Sequence, residues 1–282
     1  MSVSSTKEVE VKGVRLHYVE QGSGEPIVFV HGVPLDHRAW EPVRENIAKT
    51  FRFITYTQRY CGTGSWLDQG ENFSVATHTD DLAEFIRLLN TGPVHLVGFS
   101  YGGQVATTAA VKSPSLVRSL ILYEAAVMSV LPKGSAEGKV AREDFAKMTA
   151  PAVAAAKAGE PVQATKLLFE SLFKTPPGEF HRLPQDWQTL GLDNARTLPL
   201  LFASPPPPPI TCEMLKDFTR PTLVMWGERT QICYALINEA ISRSVPGAKK
   251  VVLGNVNHDG PLRDPAGFSA VVLNFLSKAS GC

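Results

Sequence analysis

The sequence is poor in cysteine, has no long hydrophobic run and carries almost no net charge. Its four cysteines lie far apart, at positions 61, 212, 233 and 282, and form no CxxC pair, which argues against a zinc site or a disulfide framework. The richest apolar stretch, residues 120–128, contains Glu124 and is much shorter than the roughly 20 residues that span a bilayer. These absences exclude a disulfide-stapled or membrane-spanning protein, and no membrane partner is expected.

The charges are balanced and scattered. The 28 Lys and Arg are matched by 27 Asp and Glu, so no basic stripe is available for phosphates and no nucleic acid partner is expected. Residues 1–10 are polar with both charge signs, unlike a secretory signal, which predicts a cytoplasmic protein. No two of the seven histidines have metal-ligand spacing, so we expect neither a metal nor another cofactor.

What is present resembles the composition of an ordinary enzyme with a large core, 44% hydrophobic and 20% charged residues. Two alternating segments, 8–11 and 14–20, flank Lys12-Gly13 and predict an antiparallel hairpin of edge strands. The continuous apolar run 27–30 that follows is typical of a strand buried on both faces. This run marks the entry into a parallel sheet.

Strands and helices alternate after this run. Strands are predicted at 51–56, 94–97, 116–123, 222–226 and 250–253, and helices at 39–50, 77–89, 100–111, 234–244 and 265–277. Such alternation indicates βαβ crossovers. The predicted fold class is therefore α/β, with a mostly parallel, doubly wound sheet.

The strand pattern stops between residues 127 and 219. Ala-rich helical stretches at 136–158 and 162–173 take its place, and the five prolines at 205–209 suit a stiff surface segment because they fix φ and lack N–H donors. We interpret residues 127–219 as an inserted helical cap, and residues 1–126 and 220–282 as the core.

A candidate nucleophile lies in Gly98-Phe99-Ser100-Tyr101-Gly102, which matches the G-x-S-x-G pattern of a nucleophile elbow. The pattern follows the strand at 94–97 and precedes a helix, as the elbow requires. Side chains at 98 and 102 are expected to collide with the neighbouring strand and helix, and Ser100 is expected to have a strained backbone. The alternative is that Ser100 merely caps the helix.

Two backbone N–H groups are candidates for an oxyanion hole. Tyr101 follows the nucleophile and supplies the first. The second is expected from Val33 in the loop His31-Gly32-Val33-Pro34, because Pro34 has no N–H. His31 is expected to tie this loop down by hydrogen bonds rather than to act as a base.

His258 is the best candidate base among the histidines. It lies in a polar loop after the strand at 250–253, at the carboxyl end of the sheet, where open α/β sheets bind their ligands. An imidazole can take the serine proton at neutral pH and return it to the leaving group. An ordinary loop histidine is the alternative. The histidines at 17, 37, 78, 95 and 181 have no such placement.

The Gly-Phe-Ser-Tyr-Gly-Gly motif, the loop at 31–34 and His258 before Asp264-Pro265 together resemble the α/β-hydrolase superfamily, serine esterase type, along nearly the whole chain. The resemblance implies an α/β-hydrolase fold with a cap. The chain is also similar to small bacterial esterases, including those that open macrolide lactones. Because the nucleophile is serine, the resemblance does not extend to haloalkane dehalogenases or epoxide hydrolases, which use aspartate.

The sequence departs from the family pattern at the acid of the triad. An aspartate is expected at position 230, where this chain has threonine, and a hydroxyl cannot stabilise an imidazolium comparably. We predict that Glu124, at the end of the preceding strand, replaces it, as in some superfamily members. Glu228 is the second candidate, Asp259 is a weaker one, and Glu124 could instead be a strand-end carboxylate facing solvent or the cap.

The substrate pocket is less readable. The loop at 56–64 departs from the family pattern while keeping Arg59, for which we expect a structural role, and Tyr60 replaces a small residue. Tyr60 and Phe99 are expected to line the pocket. Cap aromatics at 169, 173, 180 and 187 suggest a mainly apolar small-molecule substrate.

The sequence therefore predicts a serine-dependent hydrolase of a carboxylic ester or lactone. Within the same fold, a C–C bond hydrolase or a cofactor-free perhydrolase would carry the same triad. A non-catalytic ligand receptor on a hydrolase scaffold is the alternative from another class, and the threonine at 230 motivates it. The sequence indicates no oligomeric state.

Overall fold

A computed structural model describes residues 6–279, which form eight strands and eleven helices. The strands are β1 Lys7–Val11, β2 Val14–Gln21, β3 Pro26–Val30, β4 Arg52–Tyr56, β5 Val94–Phe99, β6 Val117–Tyr123, β7 Thr222–Gly227 and β8 Lys249–Leu253. The helices are α1 Glu41–Ala48, α2 Val75–Leu88, α3 Tyr101–Lys112, α4 Ala136–Lys157, α5 Pro161–Leu172, α6 Gln185–Asp193, α7 Thr197–Ala203, α8 Cys212–Lys216, α9 Ile232–Ser244, α10 Gly260–Arg263 and α11 Pro265–Ala279.

One sheet contains all these strands, in the order β1-β2-β4-β3-β5-β6-β7-β8. The pairs β1–β2 and β2–β4 are antiparallel, and every other neighbouring pair is parallel. Strands β3, β5 and β7 are buried along their whole length, as their continuous apolar runs predict. The predicted α/β class with a mostly parallel sheet is confirmed.

The prediction that both hairpin strands are edge strands is wrong for β2. This strand pairs with β1 on one side and with β4 on the other, where Tyr18 is opposite Tyr56. Its alternating burial resembles that of an edge strand because one face stays partly open to solvent. Periodicity reports which face is buried and does not report how many neighbours a strand has.

The order of the strands places helices on both faces of the sheet. Right-handed crossovers put α1, which connects β3 to β4, on one face, and α2, α3 and α9 on the other, because these connections run in the opposite direction along the sheet. Helix α11 packs against α1. The carboxyl ends of β3, β5, β6 and β7 therefore share one edge of the sheet.

Helices α4 to α8 lie between β6 and β7, in the stretch for which the sequence predicts a cap. Every residue of this stretch is described, and none of them is in a strand. The prolines at 205–209 follow α7 without regular secondary structure, and most are exposed. The division of the chain into core and cap stays a prediction. Within residues 6–279, no helix is both long enough and apolar enough to cross a membrane.

Candidate active site

Ser100 lies at the tip of a sharp turn between β5 and α3. Its backbone has φ 54° and ψ −120°, a strained conformation for a residue with a side chain. A Cβ atom at Gly98 would lie 2.7 Å from the Cα of Gly103 in α3, and one at Gly102 would lie 2.3 Å from the carbonyl oxygen of His31 after β3. The predicted steric need for these two glycines and the predicted strain at Ser100 are both confirmed.

The candidate base contacts the candidate nucleophile directly. Nε2 of His258 is 2.9 Å from Oγ of Ser100, and its Nδ1 is 2.6 Å from Oε2 of Glu124. Because a carboxylate only accepts, Nδ1 carries the proton and Nε2 presents a lone pair to the serine hydroxyl. All three side chains are buried. The structure therefore brings the three predicted residues into one hydrogen-bonded chain.

Glu124 is fully buried directly after β6, with φ 45°. Its Oε1 accepts from the Gly227 N–H at 2.8 Å. Its Oε2 accepts from the Thr230 hydroxyl at 2.6 Å as well as from His258. Three donors therefore compensate for the desolvation of one buried carboxylate.

The two other candidate acids lie elsewhere. Glu228 is exposed and accepts from the N–H of Asn255 at 3.0 Å. Asp259 accepts from Arg263 Nε at 2.6 Å. Neither carboxylate contacts the imidazole of His258 among the described contacts. Of the three candidates, Glu124 is the one that the fold brings to His258.

The loop that carries His258 is held by the ends of neighbouring strands. The hydroxyl of Tyr123, the last residue of β6, donates to the carbonyl oxygen of Asn257 at 2.5 Å. The N–H of Arg229 donates to the Val256 carbonyl oxygen at 2.9 Å. The base therefore approaches Ser100 on a loop that is fixed just before it.

The two predicted oxyanion donors flank the nucleophile. Tyr101 is the first residue of α3, so its N–H has no partner within the helix. Val33 lines the cavity beside Ser100, and a Cβ at Gly32 would lie only 3.1 Å from the Ser100 Cβ. Within residues 6–279, neither N–H donates to a protein acceptor. The assignment of these two N–H groups as oxyanion donors stays a prediction.

Two buried histidines hold the residues around the predicted oxyanion hole. His31 Nδ1 is 2.7 Å from the Gly32 carbonyl oxygen, and its Nε2 accepts from the Gln58 N–H at 3.0 Å, so the prediction that it ties down the loop is confirmed. His78, whose role the sequence did not indicate, accepts from the Tyr101 hydroxyl at 2.7 Å. Burial lowers the pKa of His31 to about 4 and that of His78 to about 3, so both are neutral near pH 7.

The loop at 56–64 is anchored by Arg59, whose guanidinium donates to both carboxylate oxygens of Asp81 at 2.8 Å. The structural role expected for Arg59 is therefore confirmed. Cys61 in the same loop is buried, and burial raises the pKa of its thiol well above the ordinary value. A neutral, buried thiol is a poor nucleophile.

A very small cavity of about 10 Å³, roughly the space of one water molecule, lies beside Ser100. Apart from the serine and the histidine, every side chain that lines it is apolar: Val33, Leu35, Phe99, Phe169, Leu172 and Phe173. Phe99 therefore lies where the sequence predicts. The last three residues belong to α5 and its end, so the helical stretch closes over the nucleophile.

Tyr60 does not reach this cavity. Its hydroxyl donates to Asp68 at 2.9 Å, and its ring packs edge-on against Trp66 with 5.6 Å between centroids. It lines a separate groove beside the β1–β2 hairpin. The replacement of a small residue at position 60 thus fills space beneath a surface loop.

Sequence reasoning also missed Tyr234 in α9. Its ring packs on the imidazole of His258, with 4.3 Å between centroids and 30° between the planes. No motif includes this residue, and an aromatic residue on a helix gives no signal of a contact with a loop further along the chain. Within residues 6–279, no group of three or more histidine, cysteine or acidic side chains is arranged to hold a metal.

Comparisons with known proteins bear on the family and the fold. The family model described as "Alpha/beta hydrolase family" matches residues 27–271. The chain is 26% identical over 263 residues to a 2-(acetamidomethylene)succinate hydrolase of Mesorhizobium japonicum. The match covers 90% of this chain and 88% of that protein.

Two solved structures show the same fold. A bromoperoxidase from Bacillus anthracis superimposes with a TM-score of 0.80 at 19% identity, and the match covers 97% of this chain and 100% of that one. A thermophilic esterase from Thermogutta terrifontis superimposes with a TM-score of 0.74 at 24% identity, covering 98% of this chain and 99% of that one. The narrower likeness to macrolide esterases stays a prediction.

Proposed function

The chain belongs to the alpha/beta hydrolase family, and from this premise we propose that it hydrolyses a carboxylic ester or lactone through an acyl-enzyme on Ser100. The observation that carries the proposal is the buried chain of hydrogen bonds from Ser100 through His258 to Glu124. This is the arrangement that activates a serine hydroxyl for acyl transfer.

In the first half of the proposed reaction, Oγ of Ser100 bonds to the acyl carbon while its proton moves to Nε2 of His258. Glu124 stabilises the resulting imidazolium through Nδ1. The carbonyl oxygen becomes an oxyanion and receives the N–H groups of Val33 and Tyr101. Collapse of the intermediate breaks the bond to the alkoxy oxygen, and His258 gives the proton to that leaving group.

In the second half, a water molecule attacks the acyl carbon and passes a proton to His258. The bond between the acyl carbon and Oγ then breaks, and the proton moves from Nε2 to Oγ. The products are a carboxylic acid and the regenerated serine. This sequence of steps uses only the chain's own residues and water.

The cavity supports a neutral, apolar acyl group as the preferred substrate. Its lining contains no lysine or arginine and is dominated by aliphatic and phenylalanine side chains. The name of the Mesorhizobium relative gives a succinate derivative as its substrate. A dicarboxylate would place charges in this apolar lining without partners, so we propose that the substrate of this chain differs.

The presence of Glu124 at His258 also supports an enzyme over a non-catalytic receptor. The receptor alternative was motivated by the threonine at position 230, which leaves the expected place of the acid without a carboxylate. Glu124 supplies that carboxylate from another strand, and Thr230 donates to it. With the acid restored, that reason no longer holds.

A panel of hydrolytic substrates tests the proposal. Turnover by wild type and by the Ser100→Ala variant would be measured for four classes of substrate: aryl esters of neutral acyl chains, lactones, charged dicarboxylic esters and vinylogous diketones. We expect wild type to favour neutral esters or lactones, with Ser100→Ala reduced to background. A preference for the diketones would support C–C bond hydrolysis instead, and turnover that persists in Ser100→Ala would contradict the serine mechanism.

A further inference from the structure

The chain segment directly after β6 is hydrogen-bonded to the nucleophile on both sides. The N–H of Ser100 donates to the carbonyl oxygen of Tyr123 at 3.1 Å, and the N–H of Ala126 donates to the carbonyl oxygen of Ser100 at 3.1 Å. Glu124 and Ala125 lie between these two bonds. The backbone that carries the acid is therefore joined directly to the backbone that carries the nucleophile.

The side chain of Asn238 in α9 binds the middle of this segment. Its Oδ1 accepts from the N–H of Ala125 at 3.1 Å, and its Nδ2 donates to the carbonyl oxygen of the same residue at 3.4 Å. Nδ2 also donates to the carbonyl oxygen of Tyr234, one turn earlier in α9, at 2.9 Å. Both Asn238 and Ala125 are fully buried. The helix thus fixes the amide, and the amide holds both backbone polar groups of the residue that follows the acid.

Two features of the segment require such a partner. Glu124 has φ 45°, in the left-handed region, which costs energy for a residue with a side chain and persists only where the surroundings enforce it. The last N–H of the segment that bonds to β7 is that of Glu124, which donates to the Met225 carbonyl oxygen at 2.9 Å. The next N–H, that of Ala125, is buried beyond this bond, where an unpaired donor is costly. Asn238 supplies its acceptor.

We propose that Asn238 is a positioning residue, whose amide holds the turn after β6 so that the Glu124 carboxylate stays at Nδ1 of His258. Through the backbone bonds to Ser100, the same turn also sets the position of the nucleophile. Asn238 lies outside the lining of the cavity beside Ser100, so it acts through the acid and not on the substrate. The expected effect on the rate rests on the proposed function, and the expected effect on the hydrogen bond does not.

Loss of the amide should lower kcat and leave KM nearly unchanged. Without Asn238, the Ala125 N–H finds a partner only if the turn moves, and the Glu124 carboxylate then moves away from Nδ1. A displacement of about 1 Å in a catalytic site can cost about 100-fold in rate. We therefore expect kcat to fall by about 10- to 100-fold. KM should change by less than about threefold, because the cavity keeps its lining.

The test uses Asn238→Leu, which keeps the branched shape and removes every polar atom of the side chain. In the proton NMR spectrum, the hydrogen-bonded proton on Nδ1 of His258 resonates at low field, and its loss in Glu124→Gln assigns it. In Asn238→Leu we expect this resonance to move upfield or vanish, together with the fall in kcat on an aryl ester. Asn238→Ala takes less space and should give the same two changes, so a leucine that does not fit leaves the test intact.

Ser119→Ala is the matched control. Ser119 is fully buried near the start of β6, and its hydroxyl oxygen is 2.8 Å from Nδ1 of His95. The variant loses a buried hydrogen bond from the strand that leads to the acid, but from the end away from the site. It should keep the low-field resonance and the kcat of wild type.

An unchanged low-field resonance in the folded Asn238 variants would overturn the inference, whatever happens to kcat. Equal losses in Ser119→Ala would overturn it too, because any buried hydrogen bond would then serve. A wild-type protein without the resonance would also contradict it. If wild type hydrolyses no ester or lactone and a fluorophosphonate does not label Ser100, the proposed function fails. A resonance that still depends on Asn238 would then support the positioning of Glu124 alone.

Discussion

Thr230 and Glu124 share a hydrogen bond of 2.6 Å, which gives the threonine a role different from that of the acid it replaces. A hydroxyl cannot balance an imidazolium, but it can donate to a carboxylate that does. The carboxylate now comes from the end of β6, and the position expected to hold an acid supports it. The positive φ at both Ser100 and Glu124 is typical of residues held in place for function.

The role of Glu124 predicts a large loss of activity on neutralisation. Glu124→Gln keeps the shape but removes the charge and can donate to Nδ1, which favours the wrong imidazole tautomer. We expect kcat to fall by about 10²–10⁴-fold, as when the acid of a serine triad is lost. Steady-state assays on an aryl ester measure this. Glu228→Gln is the control and should keep nearly wild-type activity, and the reverse result would place the acid on the later loop.

The role of Thr230 predicts a smaller loss. Thr230→Val keeps the volume and removes one donor to the Glu124 carboxylate, so kcat/KM should fall by about tenfold. Thr230→Ser retains the hydroxyl and should recover most of the activity. Circular dichroism would confirm that both variants are folded. Equal activities of the valine and serine variants would show that the hydroxyl contributes nothing to the site.

At the scale of elements, the core strands were predictable and several partnerships between them were not. Strands β3 to β8 lie within one or two residues of their predicted bounds. Most of them are apolar runs bounded by turn residues, while β8 opens with two lysines and has only Leu253 buried. The β2–β4 pairing and the helices α6 to α8 were missed. Short helices with mixed exposure give weak periodicity, and pairing depends on residues far away in sequence.

Distance along the sequence also decides which site residues could be predicted and which were missed. Ser100, His258 and the oxyanion loop lie in motifs with recognisable local patterns. The contact of Thr230 with Glu124 joins residues 106 positions apart. Tyr234 packs on His258 from helix α9, which carries no motif. Such contacts exist only after the sheet has assembled.

The turn between β5 and α3 predicts a strong dependence of stability on Gly102. A methyl group there would meet the carbonyl oxygens of His31 at 2.3 Å and Val30 at 2.4 Å, so β3 and α3 would have to separate. We expect Gly102→Ala to lower the free energy of unfolding by more than about 2 kcal/mol. Urea unfolding measures it. Gly134→Ala is the control, because a methyl group at Gly134 would have no atom within 4 Å. If Gly102→Ala were as stable as Gly134→Ala, the close approach of β3 to α3 at Gly102 would be refuted.

At the scale of the whole molecule, the helical stretch is joined to the sheet by buried polar contacts as well as by packing. Asn194, after α6, donates to the Asp36 carboxylate at 2.8 Å and accepts from the Gly62 N–H at 2.5 Å. Burial alone would raise the pKa of the Asp36 carboxyl. Hydrogen bonds donated by Arg38 and Asn194 outweigh burial and lower this pKa to about 2. This contact therefore stays charged near neutral pH and holds the helices over Ser100.

Buried neutral histidines predict a loss of stability in acid. The pKa values of His31, about 4, and His78, about 3, are lowered from 6.5 by burial, so the unfolded chain binds more protons below pH 6.5. The free energy of unfolding should fall as the pH drops from about 6.5 towards 3, with each histidine contributing up to about 1.4 kcal/mol per pH unit.

Urea titrations at pH 7, 5.5 and 4.5 measure this dependence. His78→Gln removes one titrating group, so its stability should depend less steeply on pH than that of wild type. His181→Gln changes an exposed histidine in a short 3-10 helix and serves as the control. An unchanged slope in His78→Gln would show that His78 is not held neutral by burial.

The most direct test of the account is the site and rate of covalent labelling by a fluorophosphonate, read by mass spectrometry of the digested protein. Our account predicts one adduct, on Ser100, which forms at least about 100-fold more slowly in Glu124→Gln and does not form in Ser100→Ala. A folded wild-type protein that gains no adduct, or gains it on another residue, would contradict the claim that Ser100 is a nucleophile activated through His258 by Glu124.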